Sequence, residues 1–239
     1  DSGLSTKLDD AEVDIEAVMG AAGEGDLVRA RALAPYTLSD LAEDCIALLD
    51  VLGIERAHVL GASMGGMIAQ QLAIEREDRL LSLTSMFSNT GEPGVGQPTP
   101  EALAALLDPS PLERAAYVEV SAAKAMIWAS RRYGDRARAE ALAGESFDRG
   151  IYPAGVNRQL AAMLASGPRA DGLRALELPT LVIHGLDDTL IQPDGGERTA
   201  ELIRGARLLL VEDMGHDRPE ELWPVLTEAI LLHTEAVAA

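Results

Sequence analysis

Short apolar runs alternate with amphipathic stretches along most of the chain, a pattern typical of parallel strands connected by helices. Buried strands are predicted over residues 57–60, 80–86, 180–183 and 206–211. Helices are predicted over residues 64–77, 196–204 and 220–234, and one more between Thr37 and Gly53. This order of elements predicts an α/β fold with a mostly parallel sheet flanked by helices.

Residues 99–172 interrupt the alternation, because their apolar positions follow helical spacing throughout. Four helices are predicted there, over residues 101–107, 112–132, 136–149 and 156–166. A helical insert between two strands of one sheet indicates a cap. We therefore predict a first core part over residues 1–90, a helical cap over 91–175 and a second core part over 176–239. Residues 11–35 are interpreted as a solvated loop with one short helix.

The most informative motif is Gly61-Ala62-Ser63-Met64-Gly65, which stands between a predicted strand and a predicted helix. A serine at such a strand-to-helix turn is the nucleophile elbow, whose glycines allow neighbouring backbone to pack closely. The bare pattern is weak, but its position strengthens it. Ser63 is therefore the candidate nucleophile.

Two further strand ends carry the partners that this chemistry requires. A serine hydroxyl becomes a good nucleophile only when an imidazole removes its proton, and the imidazole needs a carboxylate to fix its tautomer. Asp187 and Asp188 follow the third predicted strand, and His216 follows the fourth. We assign His216 as the base, and Asp188 and Asp187 are the two candidates for the acid. The main-chain amide of Met64 is the predicted oxyanion donor, because it opens a helix.

These residues resemble the α/β-hydrolase superfamily. The likeness is greatest to the esterase and methylesterase branch that includes aclacinomycin methylesterase. Three segments carry it: residues 1–6 (a D-x-G-x-S loop), residues 60–66 and residues 213–216. The resemblance implies that the cap covers Ser63, and that the acid is the fourth residue of a G-x-x-D turn, which is Asp188.

The same resemblance implies that members begin further upstream, with a strand beside the elbow strand and a His-Gly loop that gives the second oxyanion donor. This sequence has no such loop before Ser63. We therefore expect that the chain is part of a longer protein, since the elbow strand would otherwise be an exposed sheet edge.

Large side chains of the cap region are candidates for the substrate pocket, although such residues at helical spacing are commonly core. The predicted substrate-binding residues are Trp128, Tyr152 and Met214. Further pocket candidates are Met126, Phe147 and Met163.

The composition and the absence of certain motifs disfavour several kinds of partner and cofactor. A net charge of −19 disfavours nucleic acids and anionic membranes as partners, because both would repel the chain. The acidic residues around His216, Asp213 and Asp217 among them, are interpreted as solvated charges. No metal or nucleotide motif is present, so no cofactor is expected.

The single cysteine excludes an internal disulfide and fits a reducing, cytoplasmic location. Cys45 is predicted to be buried, on an apolar helix stripe with Leu38, Leu41, Leu48, Leu49 and Leu52.

The sequence thus predicts a serine hydrolase that cleaves a small hydrophobic carboxylic ester without a cofactor. One alternative is a non-catalytic binder of small ligands on the same fold. Others are a lactonase, a carbon–carbon hydrolase or a cofactor-free haloperoxidase that uses the same three residues. Homo-oligomerisation is left open.

Overall fold

The computed structural model describes residues 3–238, which form two compact units. The helical unit comprises residues 3–37, 100–127 and 134–167, and the sheet unit comprises residues 38–99, 128–133 and 168–238. These boundaries differ from the predicted ones. Residues 3–37 belong to the helical unit, and the sheet unit includes three parts of the predicted cap, residues 91–99, 128–133 and 168–175.

The four strands, and the eight helices for which bounds were predicted, lie close to their predicted positions. The strands are β1 (Ala57–Ala62), β2 (Leu80–Met86), β3 (Thr180–Gly185) and β4 (Arg207–Val211). The helices are α1 (Ile15–Gly23), α2 (Leu27–Leu33), α3 (Leu38–Val51), α4 (Met64–Arg76), α5 (Pro100–Leu107), α6 (Arg114–Trp128), α7 (Arg136–Arg149), α8 (Pro153–Ser166), α9 (Ala170–Ala175), α10 (Asp194–Leu202) and α11 (Trp223–Ala238). Short 3₁₀ turns cover Glu77–Arg79 and Glu220–Leu222.

The sheet unit has four parallel strands in the order β1-β2-β3-β4. Two apolar clusters pack against it. One joins Leu72 of α4 to Leu83 of β2 and Leu173 of α9, and the other joins Ile183 of β3 to Leu226 of α11. All six residues of β3 are buried, as expected for an inner parallel strand covered on both faces.

Strand β1, which leads to the elbow, is an edge of the described sheet, with β2 as its partner. Its burial alternates, and Leu60 is 47% exposed. An edge strand presents unpaired backbone groups along its free side.

The helical unit corrects the interpretation of residues 11–35. They form two helices, α1 and α2, and not a solvated loop with one helix. Asp14 and Asp26 cap the two helix starts by accepting main-chain hydrogen bonds, which explains why an acidic, alanine-rich stretch is helical. Both helices pack on α8 through small residues, including Ala21, Ala30 and Ala165.

The predicted stripe of α3 was wrong at Cys45, which is exposed. The helix buries Leu38, Ala42 and Ile46. Its buried face therefore runs through the small Ala42, and not through Cys45 as the larger apolar side chains suggested. Leu48 and Leu52 are also exposed. None of the described helices is both long and apolar enough to cross a membrane.

Candidate active site

The carboxyl ends of three parallel strands bring Ser63, Asp188 and His216 together. Ser63 directly follows β1, Asp188 lies in the loop after β3, and His216 lies in the loop after β4. We call residues 212–218 the His216 loop. Parallel strands end at the same edge of a sheet, and ligands of open α/β sheets bind at that edge.

The turn at Ser63 has the strained backbone of a nucleophile elbow. Its φ and ψ are 57° and −125°, a conformation that costs a non-glycine residue about 1–3 kcal/mol. Gly61 makes the turn possible, because a Cβ there would lie 2.0 Å from the carbonyl oxygen of Gly65. Gly65 itself has open space around it, so close packing explains only the first glycine of the motif.

A continuous hydrogen-bond chain links the three side chains. The Ser63 Oγ lies 2.8 Å from His216 Nε2, and His216 Nδ1 lies 2.7 Å from Asp188 Oδ2. A carboxylate only accepts hydrogen bonds, so Nδ1 carries the proton that is donated to Asp188. Nε2 of the neutral imidazole is then an acceptor for the Ser63 hydroxyl.

Asp188 is held in a fully buried position. Its Oδ1 accepts hydrogen bonds from the amides of Leu190 and Ile191, both at 2.9 Å. Burial alone would raise the pKa of this carboxyl, but the imidazoles of His184 and His216 outweigh burial and lower it. Asp188 is therefore ionised, with His184 Nε2 3.5 Å from its Oδ2.

Asp187, the competing acid, makes different contacts. Its Oδ2 accepts a hydrogen bond from the amide of Arg131 at 3.2 Å, and its Oδ1 lies 3.6 Å from Arg131 Nε. Of the two aspartates, Asp188 is the one hydrogen-bonded to His216.

Met64 begins α4, so its amide is among the first in the helix, which have no intrahelical acceptor. The amides of Gly66 and Met67 donate to the carbonyl of Ser63. Met64 directly follows Ser63, so its amide lies at the positive end of the helix, where an anion at Ser63 would be favoured.

Backbone strain is concentrated at this edge of the sheet. Among the described residues, the non-glycine residues with positive φ are Ser63, Phe87 and Asp213, which follow β1, β2 and β4. Such outliers persist where the surrounding structure fixes them, commonly at functional sites. The ring of Phe87 also packs against His216, with centroids 4.7 Å apart.

The predicted pocket residues fall into different surroundings. Trp128 is partly buried, and its carbonyl accepts a hydrogen bond from the His216 amide at 2.6 Å. Met214 is fully buried in the apolar cluster beneath the His216 loop, so it offers no accessible surface to a ligand. Tyr152 lies in the helical unit, where its hydroxyl donates to Asp9. Phe147 is partly buried, and its ring packs on that of Tyr117.

Two further histidines, His58 and His233, have partners away from Ser63. His58 Nδ1 lies 2.8 Å from Ser82 Oγ. His233 Nε2 donates to the carbonyl of Leu83, and burial lowers its pKa.

Asp217 corrects the interpretation of the acids around His216 as solvated charges. It accepts hydrogen bonds from the amides of Ser130 and Gly215, and burial raises its pKa in spite of these bonds. The sequence carries no signal for this contact, since Ser130 and Asp217 are 87 positions apart.

Comparison with known proteins finds a methylesterase and another hydrolase among the relatives of this chain. The chain is 29% identical over 233 residues to rhodomycin D methylesterase DauP of Streptomyces sp. (strain C5), covering 86% of this chain and 76% of that protein. It is 33% identical over 187 residues to 2-hydroxymuconate semialdehyde hydrolase of Pseudomonas sp. (strain CF600), covering 77% and 63%.

Among solved structures, the enol-lactonase from Burkholderia xenovorans LB400 superposes with a TM-score of 0.64 at 25% identity. The match covers 84% of this chain and 74% of that one. The sequence profile of the alpha/beta hydrolase fold matches residues 24–221. The chain therefore belongs to the alpha/beta hydrolase family, and its parallel sheet with flanking helices agrees with that fold.

Proposed function

We propose that this protein hydrolyses a small hydrophobic carboxylic ester through a covalent acyl-enzyme. The observation that carries the proposal is the hydrogen-bond chain from Ser63 through His216 to Asp188, at 2.8 and 2.7 Å. Each residue type and each contact matches a requirement of nucleophilic serine catalysis.

In this mechanism, Ser63 Oγ attacks the ester carbonyl carbon while His216 Nε2 takes the hydroxyl proton. The carbonyl oxygen becomes an oxyanion that the Met64 amide stabilises at the start of α4. Collapse of the intermediate breaks the bond to the alkoxy oxygen, and His216 gives its proton to the departing alcohol.

Water completes the cycle. His216 takes a proton from the water as it attacks the acyl carbon, and the same proton returns to Ser63 when the carboxylic acid leaves. Asp188 remains ionised throughout, which its lowered pKa favours, and stabilises the imidazolium that forms twice.

The relatives support ester cleavage, and their names also indicate which other reactions compete with it as the function. DauP is a methylesterase, whereas the other two proteins are a semialdehyde hydrolase and an enol-lactonase. A lactone is a cyclic ester and would use the same steps. A series of p-nitrophenyl esters of increasing acyl length, with a lactone beside them, is therefore the panel for the substrate class.

The test uses Ser63→Ala, with Ser110→Ala as the matched control, because Ser110 is exposed on a loop. We expect Ser63→Ala to lose turnover of a p-nitrophenyl ester by several orders of magnitude, and Ser110→Ala to retain it. Unchanged turnover in Ser63→Ala would reject the proposal.

A fluorophosphonate probe separates the enzyme from a non-catalytic binder. Attack by Ser63 Oγ on phosphorus would expel fluoride and leave a stable adduct at that residue. Absence of an adduct at Ser63 in the folded protein would favour the binder.

A further inference from the structure

Residues 128–133, which we call the bridging segment, contact the His216 loop within the sheet unit. The amide of His216 donates to the carbonyl of Trp128 at 2.6 Å. The fit is tight at the preceding residue, because a Cβ on Gly215 would lie 2.3 Å from that same carbonyl oxygen. The main chain of His216 is therefore fixed by a distant part of the sequence.

Asp217 fastens the two segments to each other. Both of its carboxylate oxygens lie 3.1 Å from the amide nitrogen of Ser130 in the bridging segment. Its Oδ1 also accepts a hydrogen bond from the amide of Gly215 at 3.2 Å. The Asp217 carboxylate thus connects Gly215 to the bridging segment, which also accepts the hydrogen bond of the His216 amide.

Two more aspartates contact the same short segment. Asp187 accepts from the amide of Arg131 at 3.2 Å, and Asp213 accepts from Arg132 Nη1 at 2.9 Å. Asp187 adjoins Asp188, so the bridging segment contacts both the loop of the acid and the loop of the base. The Arg132 contact is solvent-exposed and contributes little, whereas Asp217 is partly buried.

We propose that Asp217 is a positioning residue, which holds the imidazole of His216 between Ser63 and Asp188 by fastening the bridging segment to the His216 loop. The inference rests on the proposed function. His216 must satisfy two short contacts at once, and a displacement of about 1 Å costs a catalytic site roughly a hundredfold in rate. Asp217 itself touches neither reacting atom, so its effect is exerted through the main chain.

The experiment compares Asp217→Ala, Asp217→Asn and the control Asp171→Ala, whose carboxylate is fully exposed in the same unit. Asparagine keeps an oxygen that can accept from both amides, and alanine removes it. We expect Asp217→Ala to lower kcat and the rate of fluorophosphonate labelling by about 10- to 100-fold, with KM changed by less than about threefold. Asp217→Asn should restore kcat to within about threefold of wild type, and Asp171→Ala should leave it unchanged.

A spectroscopic readout separates this inference from the proposed function. The Nδ1 proton of His216, hydrogen-bonded to Asp188, should give a downfield ¹H NMR resonance in wild type and in Asp217→Asn. It should shift or disappear in Asp217→Ala. If wild type has no ester turnover, the proposed function fails, and this resonance still decides the positioning role.

Three results would overturn the inference. They are wild-type kcat in Asp217→Ala with only a lower Tm, an Asp217→Asn enzyme as impaired as Asp217→Ala, and an unchanged His216 resonance in Asp217→Ala. If Asp217→Ala does not fold, Asp217→Glu replaces it, since the longer side chain keeps the charge but moves the acceptor oxygens. The same fall in kcat at constant KM is then expected, and its absence would equally contradict the positioning role.

Discussion

Ser63 and His216 form one hydrogen-bonded pair, yet different parts of the chain hold them. The Ser63 turn is shaped mainly by its neighbours in sequence: Gly61 leaves room for the carbonyl of Gly65, and the first turn of α4 caps the Ser63 carbonyl. One contact comes from the next strand, since the Ser63 amide donates to the carbonyl of Met86 at 2.9 Å. The His216 loop depends on residues 128–133, which contact it through Trp128 and Ser130.

The difference separates what a motif can fix from what tertiary packing must fix. A strained turn is specified by small residues within a few positions of it, so the same residues identify it and build it. The direction of an imidazole on a loop depends on whatever packs beside that loop. In this protein the bridging segment packs beside the His216 loop, and its residues belong to no sequence motif.

The largest expected effect is that of Asp188→Asn, which removes the charge that orients His216. An asparagine can donate to Nδ1 and so favour the wrong tautomer, and the loss of kcat should be about 10³- to 10⁴-fold. Steady-state turnover of a p-nitrophenyl ester measures it, with circular dichroism to confirm folding. A loss of only severalfold would show that His216 is held mainly by the bridging segment.

Replacing Gly61 or Gly215 by alanine should disturb one of the two regions compared above, the elbow in the first case and the His216 loop in the second. In Gly61→Ala the Cβ would lie 2.0 Å from backbone at the elbow, and in Gly215→Ala it would lie 2.3 Å from the Trp128 carbonyl. We expect each to cost about 1–3 kcal/mol of unfolding free energy, measured by urea denaturation. Gly65→Ala, where the space is open, is the control that should retain wild-type stability.

Double substitutions sharpen the same test. Gly215→Ala and Asp217→Ala disturb one contact between two segments, so their effects on kcat should be strongly non-additive. Gly61→Ala acts on the local turn, so its effect should add to that of Asp217→Ala within about 0.5 kcal/mol. Additivity in both pairs would contradict the view that the His216 loop is fixed from outside.

The sequence predicted all four strands and most helix bounds, because each strand is a short apolar run between turn residues. It failed where small residues carry the packing. Helices α1 and α2 bury alanines, and α3 buries Ala42 in place of Cys45, so a stripe drawn through the larger apolar residues points to the wrong face.

At the site, the sequence predicted the three side chains that meet, since each follows the carboxyl end of a strand. It could not predict the role of Asp217, because a carboxylate that binds backbone amides 87 positions away resembles any surface charge. Met214 was misread for a related reason: its place beside His216 in sequence does not reveal that its side chain points into the core.

A smaller effect is expected for Asp187→Asn. Asparagine keeps an oxygen for the amide of Arg131 and loses only the attraction to its guanidinium, which is largely exposed. We expect kcat to fall by no more than about threefold, since exposed ion pairs contribute at most about 1 kcal/mol. Steady-state kinetics beside Asp188→Asn check this. A loss equal to that of Asp188→Asn would move the acid role to Asp187.

The smallest effect is a difference in pH dependence between Asp188, which is buried, and Asp217, which is partly buried. The pKa of Asp188 is lowered by His184 and His216, so its stabilisation is present above its unfolded pKa of about 3.9 and is lost as pH falls through the lowered value. Burial raises the pKa of Asp217, so its contribution is present below that same unfolded value and is lost as pH rises through the raised one.

Relative to wild type, Asp188→Asn should therefore lose more unfolding free energy at pH 7 than at pH 3, and Asp217→Asn should show the opposite trend. Urea unfolding across this range measures both slopes. Slopes of the same sign would mean that burial does not raise the pKa of Asp217 in the folded protein. The contrast between the elbow and the remotely held histidine would then lose its electrostatic support.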